Sequence, residues 1–141
     1  MSIQSILLPL FVQVALTFAL LLGMFFMRRS DLVSRRVQVR DIALGEMAWS
    51  PRTQQVSNAF RNQFELPVLF YVLTVLSIVT RHADFLFVVM AWIFVLLRIG
   101  HAYIFVTDNR VMRRGFVYGV AALVLLAMWF IFIVRILFGL P

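Results

Sequence analysis

Long apolar runs alternate with short polar, arginine-containing segments along the whole chain. Uncharged runs occupy residues 2–27, 66–80, 85–97 and 115–134. A helix needs about 20 apolar residues to cross the hydrocarbon core of a bilayer, because each residue adds about 1.5 Å. The first and last runs reach this length alone. The second reaches it by including the polar residues that precede it, and the third by continuing through Arg98 to about residue 106.

We therefore predict an all-α integral membrane protein, a single domain over residues 1–141 that forms a bundle of four transmembrane helices. The predicted helices cover about 4–27, 51–80, 84–106 and 113–137. Ser50 and Pro51 mark the start of the second helix, because Ser is a favoured N-cap and Pro is favoured at the first helical position. Pro67 lies inside this helix and is expected to bend it, because proline has no N–H to donate. Residues 28–50 show no decisive pattern.

Composition supports a multi-pass membrane protein and excludes several other classes. Hydrophobic residues make up 63% and charged residues only 13% of the chain, whereas soluble domains have about 25% charged residues. Cysteine is absent, so disulfides and thiolate metal sites are excluded, and the few His and Glu residues of the spans predict no other metal site. Arg28 and Arg29 follow the first run where a signal peptide would have a small-residue cleavage site, so this run is expected to remain as a span.

Basic charge is concentrated in two of the connections between helices. All thirteen basic residues are Arg, and the six acidic residues leave a net charge of +7. The 28–61 segment holds seven arginines and the 107–114 segment holds three, whereas the 81–84 turn holds one. Because cytoplasmic loops accumulate positive charge, we expect the 28–57 and 107–113 connections in the cytoplasm and both termini on the opposite side. Membrane lipid is therefore an expected partner, and nucleic acid is not.

Polar residues within the spans concentrate near the arginine-rich end of the second and third helices. In the second helix, four polar residues occur at positions i, i+3, i+4 and i+7, a spacing that places them on one face of the helix. They are Asn58, Arg61, Asn62 and Glu65. Arg98 lies inside the third helix, where a lipid-facing arginine costs about 2.5–3.5 kcal/mol. We expect a contact between Glu65 and Arg98 inside the bundle. It fits two roles, a structural ion pair that fixes helix register or part of a ligand site.

Further polar side chains continue this face toward the fourth helix. His101 follows Arg98 by one turn, and Tyr118 follows Arg114 by one turn. The arginines of the 107–114 segment fit orientation and contact with lipid head groups. They also fit a pocket in which Arg61, Arg98 and Arg114 converge. Arginines bind carboxylates in a bidentate manner and Glu65 would bind an ammonium group, so such a pocket suits glutathione.

The same residues resemble the family of membrane-associated proteins in eicosanoid and glutathione metabolism (MAPEG). The segment Arg61-Asn62-Gln63-Phe64-Glu65 resembles the family's Arg/x-Asn-x-x-Glu signature, and Arg98-Ile99-Gly100-His101 resembles its Arg-x-x-His. Arg114 and Tyr118 fall where the family has an Arg and a Tyr at the start of the fourth helix. The resemblance covers the second to fourth helices.

This resemblance implies a homotrimer of four-helix subunits that binds glutathione between neighbouring subunits near the cytoplasmic side. The residues implied in binding are Arg61, Asn62, Glu65, Arg98 and His101. Arg114 and Tyr118 are the implied catalytic residues, with Arg114 lowering the pKa of the thiol. The implied activity is glutathione transfer to lipophilic small molecules or reduction of lipophilic peroxides.

A non-catalytic membrane protein that binds or assembles through the same fold is the alternative. Asn58, Phe105 and Gly115 stand where family enzymes commonly have Arg, Tyr and Ser, so a carboxylate-binding group and two hydroxyl donors are missing. Tyr103 would replace one donor if the helix register differs. A transporter or channel is a third option, which the nearly complete lack of polar residues in the outer halves of the second and third helices disfavours.

Overall fold

Four membrane-length helical segments form the computed structural model, which describes residues 1–45 and 48–141. The elements are α1 (Ile3–Val33), α2 (Val39–Ile42), α3 (Pro51–Arg61), a 3-10 helix (Asn62–Phe64), α4 (Leu66–Val79), α5 (Phe85–Val106) and α6 (Val111–Phe138). No strand occurs in the described ranges. By length and composition α1, α5, α6 and the combined segment Pro51–Val79 can each cross a membrane. The prediction of an all-α protein with four spans is therefore confirmed.

The first helix is longer than its apolar run. It continues through Arg28 and Arg29 to Val33 instead of ending near residue 27. Its 31 residues give a length of about 46 Å, so its ends project beyond a hydrocarbon core of about 30 Å. The helix stops before Arg35, which has a φ of 56° and therefore leaves the right-handed helical region.

Asp31, near the end of α1, fixes the start of the second span. Its carboxylate is almost fully buried and accepts hydrogen bonds from the Ser50 N–H at 3.2 Å and the Ser50 hydroxyl at 2.8 Å. Ser50 occupies the N-cap position and Pro51 begins α3, but the Ser50 hydroxyl does not cap the helix. It donates to Asp31 instead. Glu46, in the connection between α1 and α3, lies outside the described residues.

The second span is broken rather than bent. The regular helix ends at Arg61, and one 3-10 turn over Asn62–Phe64 precedes α4, in which Pro67 occupies the first turn. Proline cannot donate a backbone hydrogen bond, and its ring would clash with the carbonyl of Gln63, four residues earlier. Together these effects end one helix and start another at this point.

Helix α5 lies at the centre of the bundle and packs against α1, α3 and α6. Its buried side chains recur at alternating intervals of four and three residues, in the order Phe87, Ala91, Phe94, Arg98, His101 and Phe105. This spacing produces one continuous stripe that faces neighbouring helices. Phe94 packs on Phe70 of α4 with ring centroids 4.9 Å apart. Arg98 and His101 are thus buried because they occupy core positions of this stripe.

Two glutamines join α1 to the broken part of the second span. Gln13 is fully buried, and its Nε2 donates to Oε1 of Gln63 at 2.9 Å. Gln63 in turn donates to the carbonyl of Ala59 at 3.0 Å. Away from water these amides depend on each other for hydrogen bonding. The pair therefore fixes the 3-10 turn against α1.

The opposite end of the bundle is closed by an ion pair between α5 and α6. Arg135 Nη2 lies 2.8 Å from Oδ2 of Asp84, and Asp84 also caps α5 by accepting from the Phe87 N–H at 2.9 Å. The 81–84 turn and the end of α6 thus lie together, away from the two arginine-rich connections.

Replacing Gln13 with Leu is expected to destabilise the protein by about 1 kcal/mol, because Gln63 then keeps a buried oxygen without its donor. The double variant Gln13→Leu/Gln63→Leu should be more stable than the sum of the two single variants predicts. Reversible unfolding in mixed detergent measures both. Strictly additive effects would show that the two amides do not depend on each other.

Asp84 is expected to make the free energy of unfolding depend on pH. Desolvation disfavours its charged form, but the hydrogen bonds from Arg135 and the Phe87 amide prevail and hold the pKa of the Asp84 carboxyl below its ordinary value. A lowered native pKa stabilises the fold above the ordinary aspartate pKa of about 3.9, and this stability is lost as the pH falls through the native pKa.

The variant Asp84→Asn, which retains a capping side chain, should therefore lower the thermal unfolding midpoint at neutral pH. The difference from the parent protein should begin to shrink at about pH 4 and should be lost only below the lowered native pKa, where the folded parent takes up the proton. Thermal unfolding in detergent at neutral pH and at a series of pH values below about 4 measures this. A difference that is independent of pH would assign the effect to packing.

Candidate functional site

A polar cleft opens at the arginine-rich end of the bundle, between the broken second span, α5 and α6. Its volume is about 520 Å³. Six of the seven predicted site residues line it, namely Arg61, Asn62, Glu65, His101, Arg114 and Tyr118, together with Asn58, Phe105 and Gly115. The seventh, Arg98, lies behind this surface with no exposed area.

The break in the second span supplies the hydrogen-bond acceptors for Arg98. Nη2 of Arg98 donates to the backbone carbonyl of Asn62 at 3.1 Å and to Oδ1 of the same residue at 2.5 Å. In a continuous helix the Asn62 carbonyl would accept from the N–H of Leu66. Here its one backbone donor among the described residues is the N–H of Glu65, at a long distance of 3.4 Å. The guanidinium therefore replaces a backbone donor that the break removed.

Glu65 faces α6 instead of Arg98. Its Oε2 accepts from Nδ2 of Asn62 at 2.7 Å and from the Tyr118 hydroxyl at 3.0 Å. Among the described residues no ion pair within 4.0 Å joins Glu65 to Arg98, so the predicted direct contact is wrong. The prediction assumed one continuous helix. The 3-10 turn places Asn62 between the two charges and leaves Glu65 at the surface of the cleft.

His101 lies between two aromatic rings on the wall of the cleft. Its ring centroid is 5.6 Å from that of Phe105 and 5.6 Å from that of Tyr118. The side chain is almost completely buried, and its Nδ1 has no described hydrogen-bond partner. The guanidinium carbon of Arg98 lies 5.7 Å from the centre of the Tyr118 ring on the same wall. Within the described ranges no three metal-binding side chains come together.

Arg114 is held at the rim of the cleft by two contacts. Its Nη1 donates to Oδ1 of Asn109, and its guanidinium carbon lies 4.1 Å from the centre of the Phe105 ring. Asn109 has a φ of 50°, a conformation that asparagine tolerates better than most residues. The turn between α5 and α6 thus directs the Asn109 amide toward Arg114.

The remaining predicted residues differ in their placement. Arg61 is exposed at the mouth of the cleft. Asn58 lies beside it and accepts a hydrogen bond from Gln54 at 2.8 Å. Tyr103 is 68% exposed and does not line the cleft. The helix register therefore does not allow Tyr103 to replace the hydroxyl that Phe105 lacks.

Sequence reasoning missed the residues that support the site without lining it. Asn109 orients Arg114, and Gln13 and Gln63 fix the turn that presents Asn62. A glutamine inside the first apolar run was a usable signal, because a polar side chain within a span needs a partner. Asn109 gave no such signal, because asparagine is common in turns, where its side chain bonds to the nearby backbone.

The arrangement defines a class of protein: a four-span membrane bundle whose broken second helix presents guanidinium, amide, carboxylate and phenol groups in one open cleft. The family model for the MAPEG family matches residues 6–134, nearly the whole chain. The chain therefore belongs to the MAPEG family, and the resemblance inferred from its motifs is confirmed. Searches of curated proteins and of solved structures gave no match.

Truncation of Asn62 is expected to destabilise the bundle more than truncation of any other cleft amide. Asn62→Ala removes the side-chain acceptor of a fully buried guanidinium, a bond worth about 1.5–3 kcal/mol when one partner is charged. Asn58→Ala is the matched control, since it removes the same atoms from the same cleft without contact to Arg98. Chemical unfolding in detergent compares the two. Equal losses would show that Asn62 does not stabilise Arg98.

Proposed function

We propose that this chain binds glutathione in the cleft near the cytoplasmic side and uses it to conjugate lipophilic electrophiles or to reduce lipophilic peroxides. One observation carries the proposal: two guanidinium groups, a carboxylate and a phenol surround a single open cleft of about 520 Å³. Glutathione has two carboxylates, an ammonium group and a thiol, and this set of side chains complements them.

The residues proposed to bind glutathione lie partly at the mouth of the cleft and partly on its wall. Arg61 is exposed at the mouth and is suited to a carboxylate of the ligand. Glu65 is suited to the ammonium group, because only its Oε2 accepts hydrogen bonds from described residues. His101 adds an imidazole to the wall, whereas Arg98 acts through Asn62. In this scheme Arg98 positions the binding residues rather than touching the ligand.

Arg114 and Tyr118 are proposed to act at the thiol. A guanidinium beside a thiol favours the thiolate, which is the nucleophile. In conjugation the sulfur forms a bond to an electrophilic carbon, and a leaving group departs with the bonding electrons. In peroxide reduction the sulfur attacks the terminal peroxide oxygen, the O–O bond breaks, and the products are the sulfenic acid of glutathione and an alcohol. The thiol of a second glutathione then attacks the sulfenic sulfur, which forms the disulfide and releases water.

An apolar groove next to the cleft supports a lipophilic second substrate. It has a volume of about 480 Å³ and runs along α6 past Phe116, Gly119 and Leu123. Gly115 lines both the groove and the polar cleft. A molecule dissolved in the bilayer could therefore reach the thiol along α6 without crossing water.

Trimer formation and membrane orientation belong to the same proposal. The cleft of a single chain is open on one side, and a neighbouring subunit of a homotrimer would cover it. The two arginine-rich connections lie at the same end of the bundle as the cleft, and the positive-inside rule assigns this end to the cytoplasm. Both chain termini would then face the opposite compartment.

A non-catalytic binding protein is the second candidate, because both proposed catalytic groups are already engaged. Arg114 donates to Asn109 and stacks on Phe105, while the single proton of the Tyr118 hydroxyl is donated to Glu65. The Tyr118 hydroxyl cannot donate into the cleft without leaving Glu65, and the position of the Arg114 guanidinium is set by Asn109 and Phe105. In this alternative the chain binds its ligand but does not activate a thiol.

Glutathione at 100 times its dissociation constant should stabilise the purified protein by about 2.7 kcal/mol. The shift of the thermal unfolding midpoint in detergent measures binding, and conjugation to an aryl halide measures activity. Arg61→Ala should weaken binding, because it removes a carboxylate partner. Arg114→Ala should lower the conjugation rate at saturating glutathione by about tenfold or more, as for loss of an electrostatic stabiliser.

These two measurements separate the candidates. Stabilisation by glutathione without conjugation in the parent protein would support the non-catalytic alternative. Equal conjugation rates in the parent and in Arg114→Ala would remove Arg114 from the mechanism. No stabilisation even at millimolar glutathione would overturn both binding proposals. Arg113→Ala is the matched control, since this neighbouring arginine contacts Asp108 and does not line the cleft.

A further inference from the structure

A groove lies at the end of the bundle opposite the polar cleft, between the start of α1 and the turn that follows α4. Its volume is about 280 Å³, and it shares no lining residue with the cleft. Ile3, Ile6, Ile78 and Ala83 provide apolar surface, and Arg81 provides the charged side chain. The groove therefore combines an apolar surface with a single guanidinium.

Arg81 adopts a backbone conformation that glycine usually occupies. Its φ is 61°, in the left-handed region that is unfavourable for a residue with a side chain. Its N–H donates to the Ile78 carbonyl at 3.1 Å, and the N–H of the following residue donates to the Ser77 carbonyl at 2.8 Å. These two bonds form the Schellman motif that ends many helices, in which the left-handed residue is usually glycine. The motif itself therefore does not require an arginine, and the arginine carries a conformational cost.

The charge of Arg81 is also unusual for its end of the bundle. Most arginines lie in the two connections at the other end, including Arg35, which shares the left-handed conformation. Arg135 lies at the same end as Arg81 but is paired with Asp84 at 2.8 Å. Arg81 is exposed, and among the described residues no acidic side chain forms an ion pair with it within 4.0 Å. The guanidinium is therefore available to an external anion.

The groove lies where the apolar part of two spans ends. The uncharged run of residues 66–80 stops at Arg81, and Ile78 precedes this arginine by about one helical turn. Ile3 and Ile6 belong to the first turn of α1. The isoleucines thus lie on the hydrocarbon side of the groove, and the guanidinium lies on the side of the lipid head groups.

We propose that this groove binds an anionic phospholipid of the leaflet opposite the arginine-rich connections. The phosphate would accept hydrogen bonds from the Arg81 guanidinium, and an acyl chain would lie along Ile6 and Ile78. Guanidinium groups suit phosphate oxygens, and basic pockets at the ends of spans bind acidic head groups. Strained backbone conformations occur at ligand sites, where binding offsets their cost. This interaction accounts for an arginine at a position that favours glycine.

The test uses the full chain in neutral detergent with phosphatidylglycerol or phosphatidylcholine of identical acyl chains. Native mass spectrometry counts the lipids retained and gives their apparent affinity. Phosphatidylglycerol should bind more tightly than phosphatidylcholine. Arg81→Gln should weaken its binding about fivefold, as expected for one arginine near an anionic surface. Arg81→Lys keeps the charge and should retain most of the affinity.

Arg81→Gly distinguishes a residue that binds lipid from one that stabilises the fold. Without lipid, this variant should raise the thermal unfolding midpoint by about 2–4 °C, because glycine adopts the left-handed conformation without steric cost. It should nevertheless lose affinity for phosphatidylglycerol as Arg81→Gln does. Arg52→Gln is the control for net charge. It removes an exposed arginine that does not line the groove, and it should leave the affinity within about twofold.

Four results would overturn the proposal. Equal binding of the two phospholipids would remove the role of the anionic head group. Equal losses in Arg81→Gln and Arg52→Gln would show that net charge, rather than this groove, attracts lipid. Displacement of phosphatidylglycerol by an equal concentration of glycerol 3-phosphate would show that the ligand is a water-soluble phosphate. A lower unfolding midpoint in lipid-free Arg81→Gly would show that the arginine stabilises the fold itself.

The proposal is independent of glutathione binding, because the groove and the cleft lie at opposite ends of the bundle and share no lining residue. Glutathione-induced stabilisation should therefore be the same in the parent and in Arg81→Gln, whichever lipid result is obtained.

Discussion

The buried guanidinium of Arg98 is the constraint on which the rest of this bundle depends. It occupies a core position of the central helix and has no exposed surface, so it cannot reach water or lipid head groups. A charge in such a place needs hydrogen-bond acceptors from the protein. Nε and Nη1 have no described partner, but Nη2 donates to two acceptors, the backbone carbonyl and the side chain of Asn62. They are available because Pro67 prevents the second span from continuing as one helix.

The same break determines the geometry of the cleft. The 3-10 turn puts Asn62 against α5 and leaves Glu65 facing α6, where Tyr118 donates to its carboxylate. One hydrogen-bonded chain, from Arg98 through Asn62 and Glu65 to Tyr118, thus connects three spans. The Gln13–Gln63 pair adds the fourth by fixing the turn against α1. The polar groups that form the binding surface therefore also hold the helices in register.

Sequence reasoning found most of the side chains that line the site, because polar residues inside apolar spans are few. Asn62, Glu65 and His101 were identified in this way, and the motif resemblance added the roles of the others. It did not find their partners. Asn109 was missed because a turn asparagine is ordinary. The direct Glu65–Arg98 contact was wrong because the effect of Pro67 was taken as a bend in a helix that is in fact interrupted.

The sequence by itself determined the number of spans, their approximate bounds and the family, because hydrophobic length and the spacing of polar residues are local properties. Only the tertiary structure decided which polar groups pair. Arg98 could have met Glu65 or Asn62, and Arg114 could have pointed into the cleft or toward Asn109. These choices depend on a few ångströms of helix displacement and rotation. Packing of the other three spans around α5 sets those displacements, and no single segment encodes them.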